Sequence, residues 1–145
     1  MDGKQNLADT AFDSLDAMMI AYAGEAVKEA AERHEKLDFS ESSIAAVERC
    51  LALIAPEGQP PEDVNYLARV WGAYLGEVVR THYGGSWDMS QYPGSALAVP
   101  AIDVRGSHLY PTMKVFRRLT MGDTENVDTF YQMVARRLGT PTTIH

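Results

Sequence analysis

Glu77 and Arg80 stand three residues apart in ARVWGAYLGEVVRTHYGGSW, the stretch from Ala68 to Trp87. On a helix that spacing puts an acid and a base on one face, within reach of each other. Such a pair either holds itself and nearby loop amides together or does general acid–base work. His82, Tyr83, Trp87 and Tyr92 follow where the helical pattern ends. Aromatics at such a junction either pack it or line a small pocket. Glu77, Arg80, His82 and Trp87 are therefore the candidate ligand-binding residues. Lys114, Arg117 and Arg118 fall at i, i+3 and i+4 and form a short basic face. That face suits an acidic partner or a phosphate, but also plain solvation or pairing with acids elsewhere in the chain.

No catalytic residue and no cofactor is expected. His34, His82, His108 and His145 are isolated, without an HExxH pattern or an acid at ligand spacing, so no metal site is expected either. Gly84-Gly85 follows a helix instead of opening one, the wrong order for a phosphate-cradling loop. Neither Ser86 nor Ser95 lies in a G-x-S-x-G elbow. Cys50 is the single cysteine, which excludes an intramolecular disulfide, and its apolar setting AVERCLALIA reads as a buried, inert thiol.

A chain of 145 residues fits a single domain able to bury roughly 70% of its unfolded surface. Its 46% hydrophobic and 23% charged residues are ordinary for a globular protein. Charge is uneven: residues 1–66 carry 14 acids against 5 bases, a net of −9, whereas residues 67–145 carry 6 acids against 8 bases, a net of +2. The acidic half argues against nucleic-acid binding, which needs concentrated positive charge, and leaves room for a basic protein partner. No apolar run approaches the roughly 20 residues of a membrane span. The opening MDGKQNLADTAFD lacks a basic region followed by an apolar one, so a cytoplasmic address is expected.

The elements that must position these residues follow from periodicity. Phe12, Leu15, Met19, Tyr22, Ala26 and Ala30 predict a helix from near Asp9 to about Lys36. Asp38 or Ser40 caps a second helix presenting Ile44, Val47, Leu51 and Ile54, and Asp38-x-x-Glu41 has capping-box spacing. PEGQPP, from Pro56 to Pro61, is a linker. The third helix, from near Glu62 to Tyr83, is apolar over much of its circumference and is expected to be central. Ala68, Gly72 and Gly76 form a stripe along it without bulky side chains, and interior glycines that cost about 1 kcal/mol each imply close approach of another element. Gly84-Gly85 then ends it.

Beyond that point the short pieces Trp87 to Met89, Ala96 to Val99, Ile102 to Val104 and His108 to Tyr110 predict a small antiparallel sheet with a tip at Arg105-Gly106-Ser107. Pro111 opens a helix ending at Gly122, and Asp123 or Thr124 caps a last one through Leu138. Gly139 stops it, and 139–145 reads as a loose tail. The fold class is α+β: a helical N-terminal half, a small antiparallel β-sheet and two C-terminal helices.

LDFSESSIAAVE, WGAYLGEVVRTHYGGSW and HLYPTMKVFRRLTMGDTENVDTFY together resemble a group of uncharacterised bacterial domains with a GaYlGEvlr…GGxW core. The resemblance spans roughly residues 37–131. It implies that Gly76, Glu77, Arg80, Gly85 and Trp87 belong to a shared core, and it implies no reaction. From the residues themselves, the leading expectation is a protein-binding module of adaptor or immunity type using its acidic helical surface. The competing expectation is an enzyme or small-ligand binder with a pocket where the third helix meets the sheet.

Overall fold

The computed structural model describes Leu7 and residues 10–141. These residues form α1 (Leu15–Glu32), α2 (Ile44–Ile54), α3 (Val64–Tyr83), β1 (Ser86–Gln91), β2 (Ala98–Val104), β3 (Ser107–Leu109), α4 (Pro111–Met121) and α5 (Val127–Leu138). The strands make one antiparallel sheet in the order β1-β2-β3, giving the expected α+β class.

α3 is the central element, packed most extensively against α1 and α4. From Val70 to Val79 every residue of it is buried. The small-residue stripe explains how two elements reach it. A Cβ on Gly72 would lie 2.5 Å from the Thr112 Cα and 2.8 Å from its backbone nitrogen, at the first turn of α4. A Cβ on Gly76 would run into the six-membered ring of the Trp87 indole. α4 thus seats its backbone on one glycine and β1 seats its tryptophan on the other.

Element ends follow local chemistry that periodicity does not carry. α1 starts at Leu15, because the Ser14 Oγ accepts the Ala17 N–H at 3.0 Å; Asp9 lies outside the described residues. It ends at Glu32, short of Lys36. His34 turns left-handed (φ 62°), its N–H reaches the Ala31 carbonyl, and the Glu35 N–H reaches that of Ala30, which is a Schellman closure with histidine in place of glycine. The Asp38 carboxylate accepts both the N–H and the hydroxyl of Ser40 instead of forming a capping box with Glu41. A 3-10 turn, Glu41–Ser43, then leads into α2. The linker itself holds a 3-10 turn, Pro56–Gly58, and α3 begins at Val64 instead of Glu62. Neither Asp123 nor Thr124 caps α5. They lie in the 3-10 turn Asp123–Glu125, and the Asn126 side chain accepts the Thr129 N–H.

The sheet has three strands where four short pieces are expected. Ala98 and Val99, the end of the expected Ala96 to Val99 piece, join Ile102 to Val104 in a single β2 that runs through Pro100, while Ala96 and Leu97 precede the strand. β3 covers β2 only from Ile102 to Val104, so Pro100 sits on an open edge, where a missing N–H costs no ladder bond. The expected tip is a two-residue turn, with positive φ at both Arg105 (49°) and Gly106 (81°). The Arg105 guanidinium donates to the Leu138 carbonyl at 2.7 Å and lies over the Tyr83 ring, tying the hairpin to the end of α5.

The stripe makes a prediction whose sign decides it. Alanine favours a helix over glycine by about 1 kcal/mol, yet Gly72→Ala places its Cβ into the backbone of α4, which cannot swing aside. The variant is expected to lose about 1–3 kcal/mol of stability to overpacking. A chemical denaturation curve checks it, and a midpoint at or above that of the parent chain contradicts the close-approach account.

Candidate functional site

Three of the four candidate residues meet. The Glu77 carboxylate is buried, and it accepts the Arg80 Nε at 2.8 Å, the Arg80 Nη2 at 3.0 Å and the Trp87 Nε1 at 2.8 Å. The three-residue helical spacing brings Arg80 back over Glu77 as expected. The indole comes from β1 and reaches the carboxylate by lying across Gly76. Trp87 is itself buried, so the junction of α3 and the sheet is filled by its ring where the sequence suggests a pocket. A carboxylate holding three donors there is a tie between helix and strand.

His82 does not join them. Its Nε2 lies 2.9 Å from the Phe39 carbonyl, on the loop before α2. Phe39 has a positive φ of 64°, and its N–H is held by the Tyr74 hydroxyl at 2.8 Å, which also meets the Ser43 hydroxyl at 2.6 Å. His82 and Tyr74 therefore grip both backbone groups of one left-handed residue. Five residues separate His82 from Glu77, about 140° around the helix, which is why the two diverge.

The basic face is paired within the fold. Lys114 Nζ and Arg117 Nη2 meet the two oxygens of Glu125 at 2.9 and 3.0 Å, and these cations hold the Glu125 carboxyl below its ordinary range. Arg118 is buried and chelates Glu48 on α2, with Nη2 at 2.6 Å and Nε at 2.9 Å from Oε2. The second Glu48 oxygen takes the Val127 N–H at 2.9 Å, at the start of α5. One carboxylate thereby joins α2, α4 and α5. Of the alternatives for this face, pairing within the chain describes all three bases, and one of them reaches the N-terminal half.

A third carboxylate works the same way. Glu41 Oε2 accepts the hydroxyls of Tyr83 at 2.8 Å and Tyr131 at 2.7 Å, at the floor of an open depression of about 490 Å³. Burial and that hydrogen bond push Tyr83 up to about 12 and Tyr131 higher than an ordinary phenol. Both phenols stay protonated and donate. Spacing marks Glu41 only as a capping-box acid and does not mark Tyr131 as its partner, since the two are 90 residues apart. Glu48 and Arg118 did leave a signal: each interrupts the apolar stripe of its helix, Ile44-Val47-Leu51 and Val115-Leu119.

Further concavities lie at the surface. The largest described, about 550 Å³, is lined by Met18, Ala68, Arg69, Met89, Leu97 and Met113, with other apolar side chains. Cys50 is buried, and burial pushes its thiol above the ordinary value, which suits an inert packing residue. Among the described residues no group of three or more His, Cys, Asp or Glu is arranged to hold a metal ion. No helix there is long and apolar enough to cross a membrane. Comparison with protein-family models, with curated proteins and with solved structures found no match to this chain.

The Glu48–Arg118 tie predicts an asymmetry between single and double variants. Arg118→Met leaves an uncompensated buried carboxylate and is expected to cost about 3–5 kcal/mol. Adding Glu48→Gln removes that charge while keeping an acceptor for the Val127 N–H, so the double variant recovers a large part of the loss. Equilibrium unfolding of the two variants measures this, and equal stability of the two overturns the account.

Proposed function

We propose that this chain is a protein-binding module of adaptor or immunity type whose acidic helical half takes a basic partner. The observation that carries the reading is the crowding around Glu29 on α1. Glu25, Glu29 and Glu32 recur at i, i+4 and i+7 on one side of the helix. Partial burial and the like charges of Glu25, Glu32 and Asp63 push the Glu29 carboxyl up to about 7, against the single opposing pull of Arg33. A surface that holds ionised acids against mutual repulsion gains when a cation arrives, because the partner's charge offsets what the fold does not. The same sign of potential repels a phosphate backbone, so a basic protein surface fits better than nucleic acid. The interior acids support this division: Glu41, Glu48 and Glu77 are engaged in hydrogen bonds within the fold, leaving the α1 acids outward.

The Glu29 environment sets a pH dependence. Its folded value lies above the ordinary 4.5, so the folded state binds the proton more tightly than the unfolded chain. Its contribution to stability then falls as pH rises from about 4.5 through 7, and the penalty is complete above that window. Glu29→Gln removes the penalty. Because the side chain is partly solvated, screening reduces the gain to about 1 kcal/mol at pH 8, and it vanishes near pH 4.5. Melting curves of the variant and parent at both pH values check this; equal gains at the two contradict the crowding.

Capture tests the function. The full chain, immobilised in cell lysate at about 0.1 M salt, is expected to retain a discrete partner that leaves by about 0.5 M, as added salt shortens the range of the attraction between the two surfaces. The triple variant Glu25→Gln, Glu29→Gln, Glu32→Gln is expected to retain none while melting no lower. A chain that captures nothing, or a partner held equally by the triple variant or at high salt, defeats the proposal.

A further inference from the structure

β3 is a sheet edge lying beside α5, and the groove between them carries unused recognition chemistry. The two-residue turn pairs Val104 with Ser107, so the ladder alternates from there and the hydrogen-bonded partners are Val104–Ser107 and Ile102–Leu109. His108, between them, turns its N–H and C=O away from β2 toward the open edge, as an edge strand must. α5 faces that edge with Phe130, Met133, Val134 and Arg137, at i, i+3, i+4 and i+7. The cavity they line with Leu109 has a volume of about 320 Å³, and a smaller one of about 190 Å³ shares His108, Leu109 and Phe130 with it. Together these adjoining cavities outline a channel along β3.

Two features of the channel say what would fill it. Met133 is 60% exposed, an apolar side chain over an apolar floor left largely uncovered by the described residues. Arg137 is exposed and makes no ion pair with a described carboxylate, in contrast to Arg49, Arg80, Arg117 and Arg118. The other open stretch of the sheet is poorly suited to pairing, because Pro100 removes a donor from β2. β1, the opposite edge, lies against α1.

We propose that this channel docks an extended peptide segment that adds to the β3 edge through His108, packs alternate apolar side chains on Phe130 and Met133, and sets an acidic side chain against Arg137. Edge addition supplies backbone hydrogen bonds, while the helix stripe and the cation supply selectivity. β3 is three residues long and offers one outward-facing residue, so the binding energy comes mainly from the α5 stripe and the ion pair. The inference is independent of the acidic surface on α1 and calls for a ligand of opposite charge.

A display library of random nine-residue peptides panned on the full chain tests it. The enriched peptides are expected to alternate apolar residues around one acid, and to shift the amide resonances of residues 107–109 and 130–137. Arg137→Glu is expected to weaken them tenfold or more, and a peptide with lysine in place of the acid regains the lost affinity on that variant. Met133→Glu weakens both peptides. Both positions are exposed, so unchanged melting curves confirm that the variants fold, and Arg137→Glu leaves the salt-sensitive capture by α1 intact. No enrichment, binding indifferent to Arg137→Glu, or shifts confined to another surface overturns the proposal. So does a dimer of the chain alone that Met133→Glu dissociates, because a second copy would then be the occupant.

Discussion

Trp87 reaches Glu77 because residue 76 has no side chain. The indole lies where a Cβ at that position would stand, and one helical turn earlier the α4 backbone lies where a Cβ on residue 72 would stand. A single bare strip on α3 therefore seats both the sheet and α4. The helix loses about 1 kcal/mol at each glycine relative to alanine. Burying a tryptophan removes about 150–250 Å² from water, worth roughly 4–6 kcal/mol at 25 cal/mol per Å² as an upper figure. The close approach wins clearly. It also fixes geometry: with the Cζ2–Cη2 edge of the indole seated at residue 76, the Nε1 N–H reaches the Glu77 carboxylate.

Carboxylates then lock what the strip positions. Glu77 joins α3 to β1, Glu48 joins α2 to α4 and α5, and Glu41 joins the turn before α2 to the ends of α3 and α5. In each case two or three donors converge on one acid, and for Glu48 and Glu41 they come from 42 to 90 residues away in sequence. A buried charge is stabilising only when so satisfied, and removing one partner costs more than the pair contributes. These ties explain why the candidate constellation is architectural. The Glu77 carboxylate takes the Arg80 Nε and Nη2 and the indole N–H. One buried donor stands apart: the Trp71 indole N–H has no hydrogen-bond partner among the described residues, at a cost of about 1–3 kcal/mol that the packing of α3 offsets.

Legibility in the sequence followed the range of the interaction. The Glu77–Arg80 pair, Pro111 at the head of α4 and the Arg105-Gly106 turn rest on contacts within one turn or strand and read directly from spacing; the Gly72–Gly76 stripe is a spacing within one helix too, although what lies on it, α4 and Trp87, is distant in sequence. Element ends were harder, because caps compete: Asn126 wins over Asp123 and Thr124, whose residues are drawn into a 3-10 turn. Pro100 split one strand into two on paper, since a sequence does not show which side of a strand is left open. His82 looked like a neighbour of Glu77 because it is near in sequence, while its angle around the helix sends it to Phe39. Glu48 and Arg118 were each visible as a charge within an apolar stripe. Matching two such misfits to each other across 70 residues needs the fold.

With its internal acids and four of its arginines held in ion pairs among the described residues, charge that the fold does not offset stands out on two of its surfaces. On α1, Glu29 is crowded by acids and opposed by one arginine. Along β3, Arg137 has no ion pair with a described carboxylate and lies beside an open strand edge and an exposed methionine. The first is a broad field that acts at the range of the Debye length and steers a charged partner with little demand on its shape. The second is a channel one strand wide, where backbone direction, side-chain alternation and the position of one acid must all agree. A molecule whose interior is tied so completely has little freedom to remodel either surface. If both proposed surfaces bind, selectivity on such a frame belongs to the channel and encounter rate to the field.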